Sequence, residues 1–358
     1  MAGYMRRMMN VAGMAGILAI STCFASHAAG TVFYVSPSGS DSWSGKLAAP
    51  TASDGPFATI ARAQRAVREA KASKAASPMT VYLRGGTYEL AEPLALTSED
   101  SGTEKAPVTW AAYPGEKPVV SGGKRISGFE RGGNGVWTVA LSDVKAGKWN
   151  FRQMFVNGKR AVRARTPNEG FFQADGEITM DDRAKLRWRG SDIKPDWASR
   201  KDAEVIALQA WAEFRMFIRE TDPASKTAVL SAKCAPSNRE KDARYHVENV
   251  PEALDAPGEF FLDRGTGVLS YIPRPGEDMA KAEVAAPVLS ELVRFDGDIV
   301  SGKTVAHVRF RGISFECTDW TIAGNGYVDV QAAYDIPGVI HGNGAEDVVI
   351  EDCAIGHH

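Results

Sequence analysis

Short apolar stretches separated by turn residues make up most of the first part of the chain. A strand pattern covers residues 31–36, and further short strand patterns follow at 80–83, 87–90, 94–96, 108–113 and 119–121. Gly-rich or Pro-Gly turns lie between them. Between residues 59 and 74, Ile60, Ala63 and Val67 recur at helical spacing, which predicts one amphipathic helix. Very short strands with frequent turns favour a β-solenoid as well as a sandwich.

The pattern changes between residues 129 and 290, where the signals indicate antiparallel hairpins. Asn157-Gly158 lies between strand patterns at 154–156 and 159–165, and this dipeptide is typical of a type I′ hairpin turn. A second hairpin is predicted by residues 260–262 and 268–272, which flank a Gly-rich turn at 263–267. We therefore expect a β-sandwich-like domain inserted into the solenoid.

The solenoid pattern returns after residue 290, together with an internal repeat. Residues 307–315 and 347–355 share one pattern of apolar positions. In a solenoid such apolar residues stack between neighbouring turns of the chain and bury a continuous core. Gly312 and Asp352 occupy the turn position, which favours residues that tolerate positive φ. The long offset between the copies predicts a protruding loop within residues 319–342, and such loops build the groove of a solenoid.

Composition and charge narrow the function classes. The chain has 358 residues, a formal net charge of −2, 44% hydrophobic and 24% charged residues. These values suit a globular protein of two domains and argue against nucleic acid as a partner.

The N-terminal segment, residues 1–28, has the parts of a secretory signal peptide. Arg6 and Arg7 precede an apolar stretch at 11–24, and Ser26-His27-Ala28 is a small-x-small cleavage site. We expect a secreted or periplasmic protein with no membrane contact after signal cleavage. The rest of the chain keeps Cys234, Cys317 and Cys353, which is too few for a disulfide framework. Buried, unreactive cysteines are expected.

Several short motifs lie at 33–37 (FYVSP), 54–60 (DGPFATI), 83–88 (LRGGTY), 155–160 (FVNGKR), 257–263 (PGEFFLD) and 312–316 (GISFE). These motifs resemble those of secreted right-handed parallel β-helix proteins that act on carbohydrates. The best match is to glycoside hydrolase family 141. The resemblance covers nearly the whole chain after residue 28.

The fold that this resemblance implies is an all-β, right-handed parallel β-helix with an N-terminal capping helix. We divide the chain into a signal peptide (1–28), a cap with the first coils (29–128), an inserted β-sandwich-like domain (129–290) and further coils (291–358). A solenoid normally ends in a cap that covers its last coil. The sequence ends at Gly356-His357-His358 with no such cap, so we expect the β-helix to be incomplete and the chain to be a truncated version of a longer protein.

The resemblance implies a glycoside hydrolase that acts on a plant or algal polysaccharide in its full-length form, with a polysaccharide or oligosaccharide as its partner. A pectate-type polysaccharide lyase is one alternative. A non-catalytic glycan-binding module or an inactive fragment is the other. The resemblance carries over no catalytic residue, because the shared motifs belong to the scaffold.

Candidate site residues come from the C-terminal part. Glycoside hydrolysis needs two carboxyl groups about 5–10 Å apart, and no motif fixes such a pair here. Glu351, His357 and His358 are the catalytic candidates, although a solvated outward strand face is the favoured interpretation of Glu351. Aromatic, amide and imidazole groups suit sugar binding, and the substrate-binding candidates are Trp320, Tyr327, Gln331 and His341.

No cofactor or metal is predicted by a complete motif. Gly39-Ser40-Asp41 together with Asp54 offers oxygen ligands, so calcium is an alternative at this loop. The ligand spacing of a known calcium loop is missing. An Asx-turn is therefore the favoured interpretation.

Overall fold

Strands make up most of the computed structural model, which describes residues 30–73, 77–180, 182–233, 239–320, 322–328, 331 and 336–357. The predicted signal peptide, Cys234 and His358 lie outside the described residues. The all-β class is confirmed. Among the described residues, no helix has the length and apolar character needed to cross a membrane.

The N-terminal part contains the long helix α1 (Ile60–Ser73), within the predicted range. Ile60, Ala63 and Val67 are buried, as their spacing predicts. The Thr59 hydroxyl accepts a hydrogen bond from the backbone N–H of Arg62 at 3.1 Å and so caps the first turn. The strands of this part are β1 (Thr31–Val35), β2 (Met79–Leu83), β3 (Gly86–Glu89), β4 (Leu94–Leu96), β5 (Val108–Ala112) and β6 (Pro118–Ser121).

The middle part, called the insert below, runs from β7 to β23. Its elements are β7 (Gly123–Ile126), β8 (Glu130–Arg131), β9 (Trp137–Ala140), α2 (Ser142–Lys145), β10 (Phe155–Val156), β11 (Lys159–Arg160), β12 (Val162–Arg163), β13 (Arg165–Thr166), β14 (Phe172–Gln173), β15 (Thr179–Met180), β16 (Ala184–Arg187), β17 (Glu204–Leu208), β18 (Glu213–Asp222), β19 (Thr227–Leu230), β20 (Arg244–Glu248), β21 (Glu259–Asp263), β22 (Val268–Tyr271) and β23 (Val284–Pro287).

The C-terminal part adds the remaining strands. They are β24 (Val293–Asp296), β25 (Val305–Ala306), β26 (Val308–Arg311), β27 (Ser314–Glu316), β28 (Tyr327–Val328), β29 (Ile340–Asn343), β30 (Ala345–Glu346), β31 (Val349–Glu351) and β32 (Ala354–Gly356). Short 3₁₀ helices lie at Ser98–Asp100, Gly133–Gly135, Pro195–Arg200 and Pro251–Ala253.

The N-terminal and C-terminal strands combine in parallel sheets, which we call the parallel stack. The strand orders are β1-β2-β5-β26-β31, β3-β6-β27-β32 and β4-β24-β29, with β25 beside β30. Phe310 lies between Trp110 on one neighbouring strand and Ile350 on the other, and Phe315 lies beside Ile355. Equivalent positions of the two predicted repeat copies are therefore paired. Gly312 and Asp352 have φ values of 68° and 53°, as the turn position requires.

Apolar residues between these sheets form a single core. It includes residues from the first strands and from the last ones, so the two ends of the described chain share one interior. Its large buried side chains include Phe33, Phe57, Leu83, Tyr88, Leu96, Trp110, Phe295, Phe310 and Phe315. Cys317 is buried, as expected, whereas Cys353 is only half-buried.

The insert leaves and rejoins the parallel stack at one place. β7 and β23 are antiparallel neighbours, and Gly123 lies opposite Pro287. Within the insert, a large sheet of order β13-β20-β17-β18-β19-β16-β15, with β14 also beside β20, accompanies two smaller sheets, of orders β11-β10-β23-β7 and β12-β21-β22-β9-β8. The predicted hairpin at Asn157-Gly158 is confirmed, with φ values of 50° and 70°. The predicted hairpin of β21 and β22 is also confirmed.

Candidate functional site

The loop after β27 joins the parallel stack to the insert. Its strand β28 pairs antiparallel with β18, so that Tyr327 lies opposite Arg215. Arg219 donates to the Gly324 carbonyl at 2.7 Å, and the Ser231 hydroxyl donates to the Asn325 carbonyl at 2.9 Å. The described part of the predicted loop 319–342 thus lies against the insert. We call this contact region the junction.

Trp320 is the central aromatic residue of the junction. Its ring meets the Tyr327 ring edge-on, with centroids 4.8 Å apart, so two of the substrate-binding candidates are in direct contact. Trp320 lines a larger junction cavity of about 770 Å³ and a smaller one of about 520 Å³. Tyr327 lines the larger cavity. An aromatic ring on a shared wall suits a chain of sugar units that extends from one cavity to the next.

The smaller junction cavity is strongly charged. Among the described residues that line it, two are carboxylates, Glu248 and Asp319, and five are arginines. The arginines are Arg152, Arg160, Arg163, Arg165 and Arg215. They come from separate places in the insert, and the fold brings them to one wall.

Two glutamates explain why arginines gather here. Glu204 and Glu248 lie directly opposite each other on β17 and β20, and like charges in that position destabilise a sheet. Arg152 binds Glu204 at 2.7 Å, while Nη1 of Arg163 contacts Glu204 at 2.7 Å and Glu248 at 3.2 Å. These buried ion pairs offset the repulsion.

Glu248 is held in its ionised form. Burial alone would raise its pKa, but the hydrogen bond from His246 at 3.0 Å and the charges of Arg163, Arg215 and Arg152 outweigh burial. The net effect places the pKa of Glu248 well below its ordinary value. A general acid for glycoside hydrolysis needs a raised pKa, so Glu248 is unsuited to that role.

Asp319 fastens the loop to the insert. Its carboxylate accepts hydrogen bonds from the backbone N–H of Arg152 at 3.0 Å and from the Gln153 amide at 3.1 Å. Asp319 directly precedes Trp320 in the chain. These bonds therefore fix the aromatic ring against the insert.

His357 lies near the same region. Its Nδ1 is 3.1 Å from a carboxylate oxygen of Glu316, and its ring contacts Phe155 with centroids 4.7 Å apart. The guanidinium of Arg160, which lines the smaller cavity, lies 5.3 Å from the Phe155 ring. His357 is therefore linked to the junction through Phe155.

The remaining candidates lie apart from the two cavities. Glu351 is exposed on β31, 3.6 Å from Arg311. His341 is exposed on β29, with Nδ1 3.6 Å from Glu291. The Gln331 side chain is exposed. The structure thus brings Trp320 and Tyr327 together, and it leaves Glu351 and His341 on other strands.

The possible calcium loop uses its carboxylates within the protein. Asp41 accepts from the backbone N–H groups of Ala58 and Thr59 at 2.9 Å, and Asp54 accepts from Ser44 at 2.7 Å. Among the described residues, no group of three or more His, Cys, Asp or Glu side chains is placed to hold a metal ion.

Glu204, Asp319 and the arginines were missed by the sequence analysis. One signal for Glu204 existed, because it precedes the apolar residues Val205 and Ile206 in a buried strand. A lone carboxylate in such a strand requires a buried cationic partner. The sequence did not indicate which arginine that partner was.

Comparisons with known proteins identify the chain's relatives. Residues 134–274 match the model of the GH141 insertion domain. A solved structure described as a glycoside hydrolase is 28% identical, with a TM-score of 0.70 over 84% of this chain and 53% of that chain. The pectate lyase PEL9 of Emericella nidulans is 39% identical over 89 residues, which are 25% of this chain and 18% of the lyase.

This chain therefore spans about half of the solved glycoside hydrolase and under a fifth of the lyase. The resemblance to family 141 is confirmed by the matched domain and by the structural neighbour. Residues 134–274 of this chain thus resemble the insertion domain of glycoside hydrolase family 141, and the chain as a whole resembles a glycoside hydrolase in fold and sequence.

Proposed function

We propose that this chain is part of an exported glycoside hydrolase that binds a plant or algal polysaccharide at the junction. The observation that carries the proposal is the position of Trp320 on the wall shared by two cavities. In this proposal the parallel stack forms coils of a right-handed parallel β-helix. The domains are the signal peptide (1–28), the cap with the first coils (29–128), the inserted β-sandwich-like domain (129–290) and the further coils (291–358).

The register of the parallel stack supports the β-helix. Met79 pairs with Val108, and this separation along the chain suits one coil of short strands and turns. The pairing of Val108 with Val308 crosses the whole insert, because the insert lies within that coil. A domain inserted into a coil can place its sheet beside the outer face of the solenoid, where a groove forms.

The test uses the complete product of the gene and a panel of plant and algal polysaccharides. Release of reducing sugar without unsaturated products is the expected result. Saturated products from neutral and acidic substrates alike would point to hydrolysis. The absence of any product across the panel would contradict hydrolysis.

A polysaccharide lyase is the second candidate, and the arginines of the smaller junction cavity favour it. Arg152 keeps its charge in the ion pair with Glu204, and guanidinium groups suit the carboxylates of a uronide chain as binding partners. Lyase action would yield unsaturated uronides that absorb ultraviolet light and would usually need calcium. Binding without turnover would instead assign a non-catalytic glycan-binding module.

A further inference from the structure

We propose that the smaller junction cavity is a subsite for an acidic sugar unit, one that carries a carboxylate or a sulfate ester. This inference rests on the proposed function, because it names the substrate class for the same junction. Its first support is charge. The described lining residues include five arginines and two carboxylates. Glu204 and Glu213, outside the lining, pair with Arg152, Arg163 and Arg215, so the five arginines meet four carboxylates. A small positive excess remains at this place, whereas the whole chain has a formal net charge of −2.

Two of the lining arginines share their carboxylate partners. Arg152 and Arg163 are nearly buried and share Glu204, and Arg163 also reaches Glu248. The buried Nε atoms of both arginines have no hydrogen-bond acceptor among the described residues. These two Nε atoms are shielded from the cavity, so an anionic oxygen bound there would meet the Nη atoms of the guanidinium groups.

The rim of the cavity carries further positive charge. Arg165 donates Nε to the Pro167 carbonyl at 3.0 Å and Nη2 to the Gly170 carbonyl at 2.8 Å, which are neutral acceptors. These bonds hold the guanidinium in place without cancelling its charge. Arg160 is an exposed residue on the same rim and donates to the Gln153 side chain.

Aromatic rings beside two of the lining arginines favour a sugar over a free inorganic anion. Trp320 lines the cavity, with its ring centroid 5.8 Å from the Arg152 guanidinium. The Phe171 ring lies 5.8 Å from the Arg165 guanidinium and is 41% exposed. A pyranose ring can contact such apolar faces while its acidic substituent meets the guanidinium groups.

The experiment measures binding to the complete gene product by calorimetry. The probes are a galacturonic acid oligosaccharide, its methyl ester of the same length, a sulfated galactan oligosaccharide and inorganic sulfate. We expect at least one acidic oligosaccharide to bind about tenfold more tightly than the neutral ester, with affinity falling as salt rises. The two acidic oligosaccharides distinguish a carboxylate from a sulfate ester.

Variants at the rim avoid the buried ion pairs. Arg160→Gln and Arg165→Gln should each remove most of the preference for the acidic oligosaccharide and leave binding of the ester unchanged. Arg165→Lys should retain part of the preference for the acidic oligosaccharide. It keeps the positive charge but loses the planar guanidinium, which can bind a carboxylate through two hydrogen bonds. Arg131→Gln, at an exposed arginine on β8, is the matched control and should bind like the original protein. Circular dichroism on all variants checks that the fold is kept.

Binding of both acidic oligosaccharides no tighter than that of the ester would overturn this inference and leave the proposed function standing. Inorganic sulfate that binds as tightly as the oligosaccharides would also overturn it, since the site would then hold an anion only. Tight binding of acidic oligosaccharides without turnover would support the subsite while contradicting hydrolysis. A preference that survives both glutamine variants would place the acidic subsite elsewhere and so refute it here.

Discussion

Nη2 of Arg152 lies 2.7 Å from Oε1 of Glu204 in a largely buried part of the junction. Arg152 precedes β10, and its backbone N–H is bound by Asp319, while Glu204 begins β17 of the large sheet. The pair therefore joins two sheets of the insert at the point where the C-terminal loop meets them. The shape of the smaller cavity depends on this contact.

Replacement of Glu204 by Gln should destabilise the protein by about 3–5 kcal/mol, because Arg152 and Arg163 would lose their shared buried counter-ion. The measurement is the free energy of unfolding in urea. Glu130→Gln, at an exposed glutamate on β8, is the control and should change it by under about 0.5 kcal/mol. Equal midpoints for the two variants would contradict a structural role for the pair.

Stability should fall in acid partly through Glu248. Its pKa is lower in the folded protein than the ordinary value of 4.5, so its contribution is present above pH 4.5 and is lost as pH falls toward the lower folded value. Glu248→Gln should be less stable at neutral pH and should lose less stability between about pH 7 and about pH 3. If the stability of both proteins fell by the same amount between these pH values, Glu248 would not be responsible for the loss of stability in acid.

Gly297→Ala should strain the parallel stack. A Cβ at this position would lie 2.2 Å from the carbonyl oxygen of Gly344 on the neighbouring segment, and two backbones cannot separate without disturbing the pairing of β24 with β29. We expect a loss of about 1–3 kcal/mol in the free energy of unfolding. Gly133→Ala is the control, because a Cβ there would have no atom within 4 Å, and it should not change the free energy of unfolding.

Cys317 should resist alkylation in the native protein. Burial raises the pKa of this thiol to about 12, with smaller contributions from Glu316 and Asp319, so almost none of the reactive thiolate exists at neutral pH. Peptide mapping by mass spectrometry after iodoacetamide treatment should find Cys317 unmodified until urea is added. Rapid native labelling would show that the thiol is exposed or activated.

Trp320→Ala should weaken binding of acidic and neutral glycans alike, by about tenfold, since the ring supplies apolar contact independent of charge. Trp320→Phe should keep part of the affinity. Calorimetry with the same oligosaccharides provides the measurement. Tyr82→Ala, on β2 of the parallel stack, is a control that removes an aromatic ring outside both junction cavities. Unchanged binding in Trp320→Ala would remove the junction as the glycan site.

Local patterns predicted much of the fold. The φ preferences of Asn157 and Gly158 fix a hairpin by themselves, and the spacing of Ile60, Ala63 and Val67 fixes a helix. The internal repeat indicated the register of β26 with β31 before any strand partner was known. Each of these signals lies within a short window of sequence or within two copies of one pattern.

The charged part of the junction needed long-range information. Arg152 and Arg163 meet Glu204 only because separate sheets of the insert lie against each other. The spacing of these residues along the chain does not indicate such a contact. Asp319 lies at the start of the predicted loop 319–342, and residue type alone does not indicate its hydrogen bonds to Arg152 and Gln153. Trp320 and Tyr327 were found from residue type alone, whereas the contact between their rings depends on the pairing of β28 with β18.

The antiparallel neighbours Gly123 and Pro287 make the insert a module with adjoining ends. The chain leaves the parallel stack and rejoins it on two neighbouring strands. The parallel stack therefore accommodates the insert much as it would accommodate a hairpin turn. The entropic cost of closing an excursion rises only with the logarithm of its length. The scaffold can therefore exchange, enlarge or lose this module while its own strands keep their places, so the insert can change independently of the fold that supports it.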